Sequence, residues 1–128
     1  MGGIGAARQA REYDRGITGS EFSVAVHAEG SAQVVAVRGD VDLATADLVR
    51  GELRSAAAEG RTVVLDLREV SFMDTQGLAV VIEAQQHASQ DGWQFVLTRA
   101  PDRVHRLFDM IGLTPRLTIV DDPAAAGT

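Results

Sequence analysis

This chain of 128 residues has no cysteine and no lysine, so all 12 of its basic residues are arginine. Without cysteine there is neither a disulfide framework nor a thiolate metal site. Without lysine there is no P-loop, whose lysine holds nucleotide phosphates, and no Schiff-base chemistry. Positive charge is scarce as well, since 18 acidic residues leave a formal net charge of −6. Sequence-independent binding to nucleic acid or to an anionic membrane needs a basic face and is not expected. No apolar run approaches the roughly 18 residues of a membrane span. The opening "MGGIGAARQAREYDRG" lacks the continuous apolar core of a signal peptide, and no strand precedes its glycines as a dinucleotide site would require. A cytoplasmic protein is the expectation.

What is present is an ordinary globular composition, 45% apolar and 23% charged. The length suits one domain burying roughly two-thirds of its unfolded surface. Residues 1–20, rich in Gly, Ala and Arg, read as a flexible leader. The ending "DDPAAAGT" reads as a frayed terminus, with residues 123–128 as a flexible tail. The domain itself is expected over residues 21–122.

Within it the periods are legible. "EFSVAVHAEG" alternates, with Phe22, Val24 and Val26 on one face, and "AQVVAVRGDVD" is a second strand joined to it through Glu29-Gly30-Ser31. "LATADLVRGELRSAAAEG" predicts an amphipathic helix with Leu43, Leu48 and Leu53 inward and Gly60 at its stop. "RTVVLDLREV" is a nearly unbroken apolar strand that should be covered on both faces. A helix follows to about Gln90, with Leu78, Val81 and Ile82 inside, and Asp91-Gly92 turns the chain into the strand "WQFVLTR". "APDRVHRLFDMIGL" is a third helix, with Pro101 suited to its first turn and Gly112 to its end, and "RLTIVD" is a last short strand. The order β-β-α-β-α-β-α-β predicts an α/β fold with one central mixed sheet, antiparallel at the first hairpin and parallel after it.

Such folds place their sites beyond the C-terminal ends of parallel strands. Two acidic junctions fall there, "GDVD" and "MDTQG". At the second, Asp74 or Thr75 can cap the following helix, which is worth roughly 1 kcal/mol. Capping leaves Gly77 unexplained, because glycine in a first turn costs about 0.5–1 kcal/mol against alanine. A missing side chain beside an exposed hydroxyl would leave room for another molecule to come close. From the residues alone, capping and docking stay equally open. Asp40 and Asp42 likewise have an ordinary use as turn and cap residues.

Three segments in register resemble one family. "VVLDLREVSFMDTQGLAVVIEA" is similar to the central signature of the STAS-domain proteins that act as anti-sigma factor antagonists in bacteria. "VRGDVDLATADLVRGEL" resembles their earlier motif, and "RVHRLFDMIGLTPRLTIVDD" their last helix and strand. The resemblance implies a single STAS-like domain. It implies that Thr75 is the phosphoacceptor of an anti-sigma factor kinase of the Bergerat ATP-binding fold, with a phosphatase to reverse the step. It further implies that Asp74, Gln76, Gly77 and Leu78 lie beneath the docked partner, with Asp40 and Asp42 against it. The acceptor is threonine where serine is commoner, and its extra methyl restricts the side-chain torsion and crowds the approach. The expected function is to bind an anti-sigma factor and release a sigma factor until phosphorylation switches binding off. The alternative is a STAS scaffold or ligand-sensing subunit of a larger assembly, without sigma control.

The remaining polar residues point to no chemistry. His27, His87 and His105 fall on different elements, so no metal is expected, and no cofactor or nucleophile–base pair is apparent, so an enzyme is not expected either. Trp93 suits a core or rim aromatic. Asp66 could suggest a receiver-type phosphoacceptor, but that class needs a lysine this chain lacks.

Overall fold

A computed structural model describes residues 7–14, 21–59 and 62–126. Strands β2 (Glu21–Glu29) and β3 (Ala32–Val41) pair antiparallel in a register that sets Val24 opposite Val37 and Val26 opposite Val35. The alternating apolar residues of both strands therefore share one face. Strand β4 (Thr62–Met73) pairs parallel to β3, β5 (Gln94–Thr98) parallel to β4, and β6 (Thr118–Val120) parallel to β5. Helices α1 (Ala46–Glu59), α2 (Thr75–Asp91) and α3 (Asp102–Met110) connect successive strands. Because neighbouring strands are consecutive and parallel crossovers are right-handed, all three helices lie on one side of the sheet.

The main core sits between them. Val63, Leu65 and Leu67 of β4 are buried with Val49 and Leu53 of α1, Val80, Val81 and Ala84 of α2, and Val104 and Phe108 of α3. The other side of the sheet carries a smaller cluster of Ala32, Val34, Val64 and Val96. A short 3-10 helix, Pro123–Ala126, returns to this side, with Pro123 buried and Ala126 packed on the cluster. The apolar run of β4 is thus covered on both faces.

The expected order from residue 21 onward is the observed one. Three expectations are corrected. Ala7–Asp14, placed in a flexible leader, forms strand β1, antiparallel to β2. "ARQAREYD" has no apolar alternation, so the signal there is the unpaired backbone edge of β2 rather than a side-chain period. The rest of the leader expectation, residues 1–6 and 15–20, lies outside the described residues. The tail is ordered through Ala126 because Pro123 and Ala126 have apolar surface to cover, and residues 127–128 lie outside the description. Leu43, expected inward, is exposed: the Asp42 carbonyl accepts from the amides of Thr45 (3.1 Å) and Ala46 (2.8 Å), so "LAT" forms a turn and the helix begins after it. Gly60, the expected helix stop, is also outside the described residues. Leu48, Leu78 and Ile82 are half-buried against the core, and Val81 is fully buried.

One polar network is buried in the sheet. The β4–β5 ladder ends at Leu65 and Leu97, so β4 continues from residue 66 with β3 as its remaining partner. There the Thr98 hydroxyl accepts from the Leu67 amide (2.8 Å) and donates to Asp66 Oδ1 (3.0 Å). Asp66 also accepts from the Arg68 amide (3.1 Å) and from both sides of its guanidinium fork, each at 2.9 Å. Burial alone would raise the Asp66 carboxyl, but the hydrogen bonds from Arg68 and Thr98 outweigh it and hold the group below its ordinary value of 3.8. We predict that Asp66→Asn loses about 1–3 kcal/mol of stability at pH 7 in a urea titration, the scale of hydrogen bonds to a charged group. A lowered carboxyl stabilises fully above its unfolded value and loses that contribution as pH falls through the folded one. The gap between variant and parent should therefore narrow below about pH 3.8.

Candidate functional site

The parallel register sets Asp40 beside Phe72 and Val41 beside Met73, so the two acidic junctions become neighbours at one edge of the sheet. Gly39 is what aims the first of them. Its φ of 93° lies in the left-handed region, and the β3–β4 register shifts between Gly39 and Asp40. A side chain would be strained there, and the resulting bulge lifts Asp40 out of the regular pleat. The turn that follows is closed by Thr45, a buried residue. Its hydroxyl donates to the Asp40 carbonyl (2.7 Å) and accepts from the Asp42 amide (3.0 Å), while Asp42 Oδ1 accepts from the Ala44 amide (3.0 Å). Asp42 therefore has the capping use that its type suggests, and both acids remain half-exposed.

The second junction starts α2. Asp74 is its N-cap, with extended backbone (φ −107°, ψ −166°), and its Oδ1 accepts from the amides of Gln76 (2.8 Å) and Gly77 (3.3 Å). Thr75 is the first helical residue and is exposed, as is Gln76. Of the two readings, capping falls to Asp74, and the Thr75 side chain is left in solvent. Leu78 is half-buried against the core and presents only part of its surface.

Gly77 has a different role from the one expected. It is buried, and a Cβ on it would run into Met73 Cγ and sit 3.0 Å from the Val41 carbonyl oxygen and 3.1 Å from Val41 Cγ1. The missing side chain makes room for the protein's own strand end, not for another molecule. The Asp74 amide donates to that same Val41 carbonyl (3.2 Å), so the helix start is fastened directly to the end of β3. Asp40, Asp42, Asp74 and Thr75 are thereby held together on one edge.

Sequence reading missed two apolar residues on this edge, Leu43 and Phe72, both exposed. Alternation did not mark Phe72, because Val70 and Met73 are both in the core with Ser71 and Phe72 exposed between them. Leu43 had no signal either, because it falls in a turn.

Elsewhere the candidates are dispersed. His27 of β2 pairs with Glu29 (3.2 Å), His87 is exposed on α2, and His105 of α3 packs edge-on to Phe108 (centroids 5.8 Å apart). Among the described residues no group of three metal-ligating side chains occurs, and no helix is long and apolar enough to cross a membrane. Trp93 is a rim aromatic, half-buried and edge-on to Phe95 at 6.2 Å. It closes one end of a groove of about 460 Å³ between α1 and α2, whose walls include Arg50, Arg54, Glu83 and His87. Arg50 spans that groove to Glu83 (2.7 Å).

Comparison with known proteins adds three likenesses and a family. The family profile described as Mlab, STAS domain matches residues 24–120. The anti-sigma F factor antagonist of Paenibacillus polymyxa is 32% identical over 97 residues, which span 74% of this chain and 83% of that protein. The crystal structure of an anti-sigma factor antagonist from Mycobacterium paratuberculosis superimposes with a TM-score of 0.74 at 20% identity, covering 83% of this chain and 91% of that one. The phosphorylated form of the Bacillus cell fate determinant SpoIIAA superimposes with a TM-score of 0.62 at 18% identity, covering 81% of this chain and 95% of that one. At such identities the two structures speak to the fold alone.

The packing at Gly77 can be tested against a second helical glycine. Gly51, exposed in the middle of α1, has nothing within 4 Å of an added Cβ. Gly51→Ala should stabilise by about 0.5–1 kcal/mol through helix propensity. Gly77→Ala should instead destabilise by about 1–3 kcal/mol, because overpacking outweighs the same propensity gain. Urea titrations of the two variants should move in opposite directions.

Proposed function

The chain belongs to the STAS-domain family, and from that premise we propose that it is an anti-sigma factor antagonist, switched by phosphorylation of Thr75. Unphosphorylated, it docks onto an anti-sigma factor that is also a serine/threonine kinase of the Bergerat ATP-binding fold, and the sigma factor is freed. The kinase transfers the γ-phosphoryl of ATP to the Thr75 hydroxyl and so ends its own sequestration, and a phosphatase restores the binding form. The chain itself acts as a binding module rather than an enzyme.

The observation that carries this reading is the exposed hydroxyl of Thr75 at the head of α2, beside Asp40, Asp42 and Asp74 on one rigid edge. The curated relative of Paenibacillus polymyxa, an anti-sigma F factor antagonist, supports it. A phosphate there adds about −1.5 to −2 charges to a chain already at −6. Asp74 already occupies the amides of Gln76 and Gly77, so the phosphate would stand outward in water. There it disturbs docking more than folding, through bulk, desolvation and repulsion of any acid opposite.

The family's other reading, a ligand-sensing or scaffolding subunit without sigma control, is favoured by one feature: the groove between α1 and α2, whose volume suits a small molecule. A pull-down from the source cell with wild type and Thr75→Glu separates the two. Loss of a Bergerat-fold kinase from the variant supports the switch, and recovery of a multi-STAS assembly with both supports the alternative.

Incubation with that kinase and Mg-ATP should place one phosphate on Thr75, and Thr75→Ala should take up none. Peptide mapping that finds the label on the exposed Ser71 would overturn the assignment. At the neighbouring loop, Asp40→Asn should weaken kinase binding by roughly 1–2 kcal/mol, the scale of a charge-assisted contact. It should also flatten the salt dependence, because exposed charges are screened over about 8–10 Å. Unchanged affinity at both low and high salt would leave Asp40 as a turn residue only.

A further inference from the structure

Among the described residues, four large hydrophobic side chains stand exposed: Leu43 (76%), Phe72 (46%), Met110 (75%) and Ile111 (54%). They divide between the two ends of the sheet. Met110 ends α3 and Ile111 follows it, and that helix runs back from the C-terminal edge of β5. Leu43 and Phe72 lie at the edge that carries Thr75. Resting on the reading of that edge as the docking face, we infer that Leu43 and Phe72 are its apolar anchors. The partner they fit is a protein surface with an apolar pocket rimmed by arginine or lysine.

Both residues are held by rigid backbone. Leu43 follows Asp42 in the turn closed by Thr45. Phe72 is paired to Asp40 across the β3–β4 ladder, and its neighbour Met73 is sunk in the core. Groups presented in this way lose little further freedom on binding, so more of their burial appears as affinity. A few side chains buried in a partner's pocket carry most of an interface's energy, while charges at the rim act mainly on rate and register. Asp40, Asp42 and Asp74 form such an acidic rim, and on a chain of net charge −6 a basic complement is the one that gains attraction there. The arrangement also explains why one phosphate suffices as a switch. Docking onto Leu43 and Phe72 requires drying the surface around them, and a dianion on Thr75 resists drying more strongly than a hydroxyl does.

The test is a calorimetric titration of the full chain with the purified Bergerat-fold kinase of the same cell, at two salt concentrations. Leu43→Ser and Phe72→Ser should each weaken binding at least about ten-fold, as loss of an interface anchor does, without changing the salt slope. Leu43→Met, which keeps an apolar tip, should bind within about three-fold of wild type, because volume-conserving apolar exchanges are tolerated best. Met110→Ser should bind as wild type does and serves as the control for an exposed apolar residue at the other edge. Circular dichroism should show all four variants folded, since none of the changed side chains belongs to the buried core. If Leu43→Ser and Phe72→Ser bind like wild type while Thr75→Glu does not bind, the inference falls and the switch stands. If wild type itself fails to bind the kinase, the docking face is lost and the anchors with it.

Discussion

The candidate site depends on one carbonyl, that of Val41. It accepts the Asp74 amide at 3.2 Å, and it is also the backbone atom that a Cβ on Gly77 would press at 3.0 Å. The first turn of α2 can lie this close to the end of β3 only because residue 77 has no side chain. That contact joins two loops which the sequence separates by more than a helix and a strand. It converts an acidic turn after β3 and a helix start after β4 into one surface.

The same arrangement separates the fold from the proposed switch. Asp74 turns its carboxylate toward the helix amides, and Asp42 and Thr45 close their own turn, so the backbone polar groups of both junctions are satisfied within the chain. Thr75 contributes nothing visible to that accounting and stays in solvent. A modification there changes the charge and hydration of the surface while the capping beneath is left in place. A residue buried among its neighbours could not be altered so freely, because a charge without partners is costly to bury.

The stem of β4 has its own support. Beyond Leu65 the strand outruns β5, and the hydroxyl of Thr98 takes up the Leu67 amide where the ladder has ended. Asp66 binds that hydroxyl and the Arg68 fork, tying down the segment that leads to Phe72, Met73 and Asp74. Arg50 and Glu83 tie α1 to α2 on the other side of the sheet. The candidate site is therefore presented by elements braced on both faces, which would preorganise it for the proposed docking.

Much of this was legible in the residues themselves. Alternation in "EFSVAVHAEG", the helical period of "ELRSAAAEG" and the apolar run "VVLDL" specify which atoms must leave water, and burial is what decides element type and order. The strand-to-helix junction at "MDTQG" announced itself through residue types that cap and turn. What the sequence could not decide is which way each exception faces. Leu43 looked like part of a helical stripe but lies in a turn, because Asp42 and Thr45 spend the first amides on their own closure. Gly77 looked like an opening for a partner but is a point of contact with Val41, 36 positions earlier in the numbering, and Ala7–Asp14 forms a strand where its pattern suggested none. In each case local pattern records what a residue prefers, whereas its direction and neighbours are set by segments remote in sequence. The periods determined the elements, and only their packing decided which side chains were left exposed.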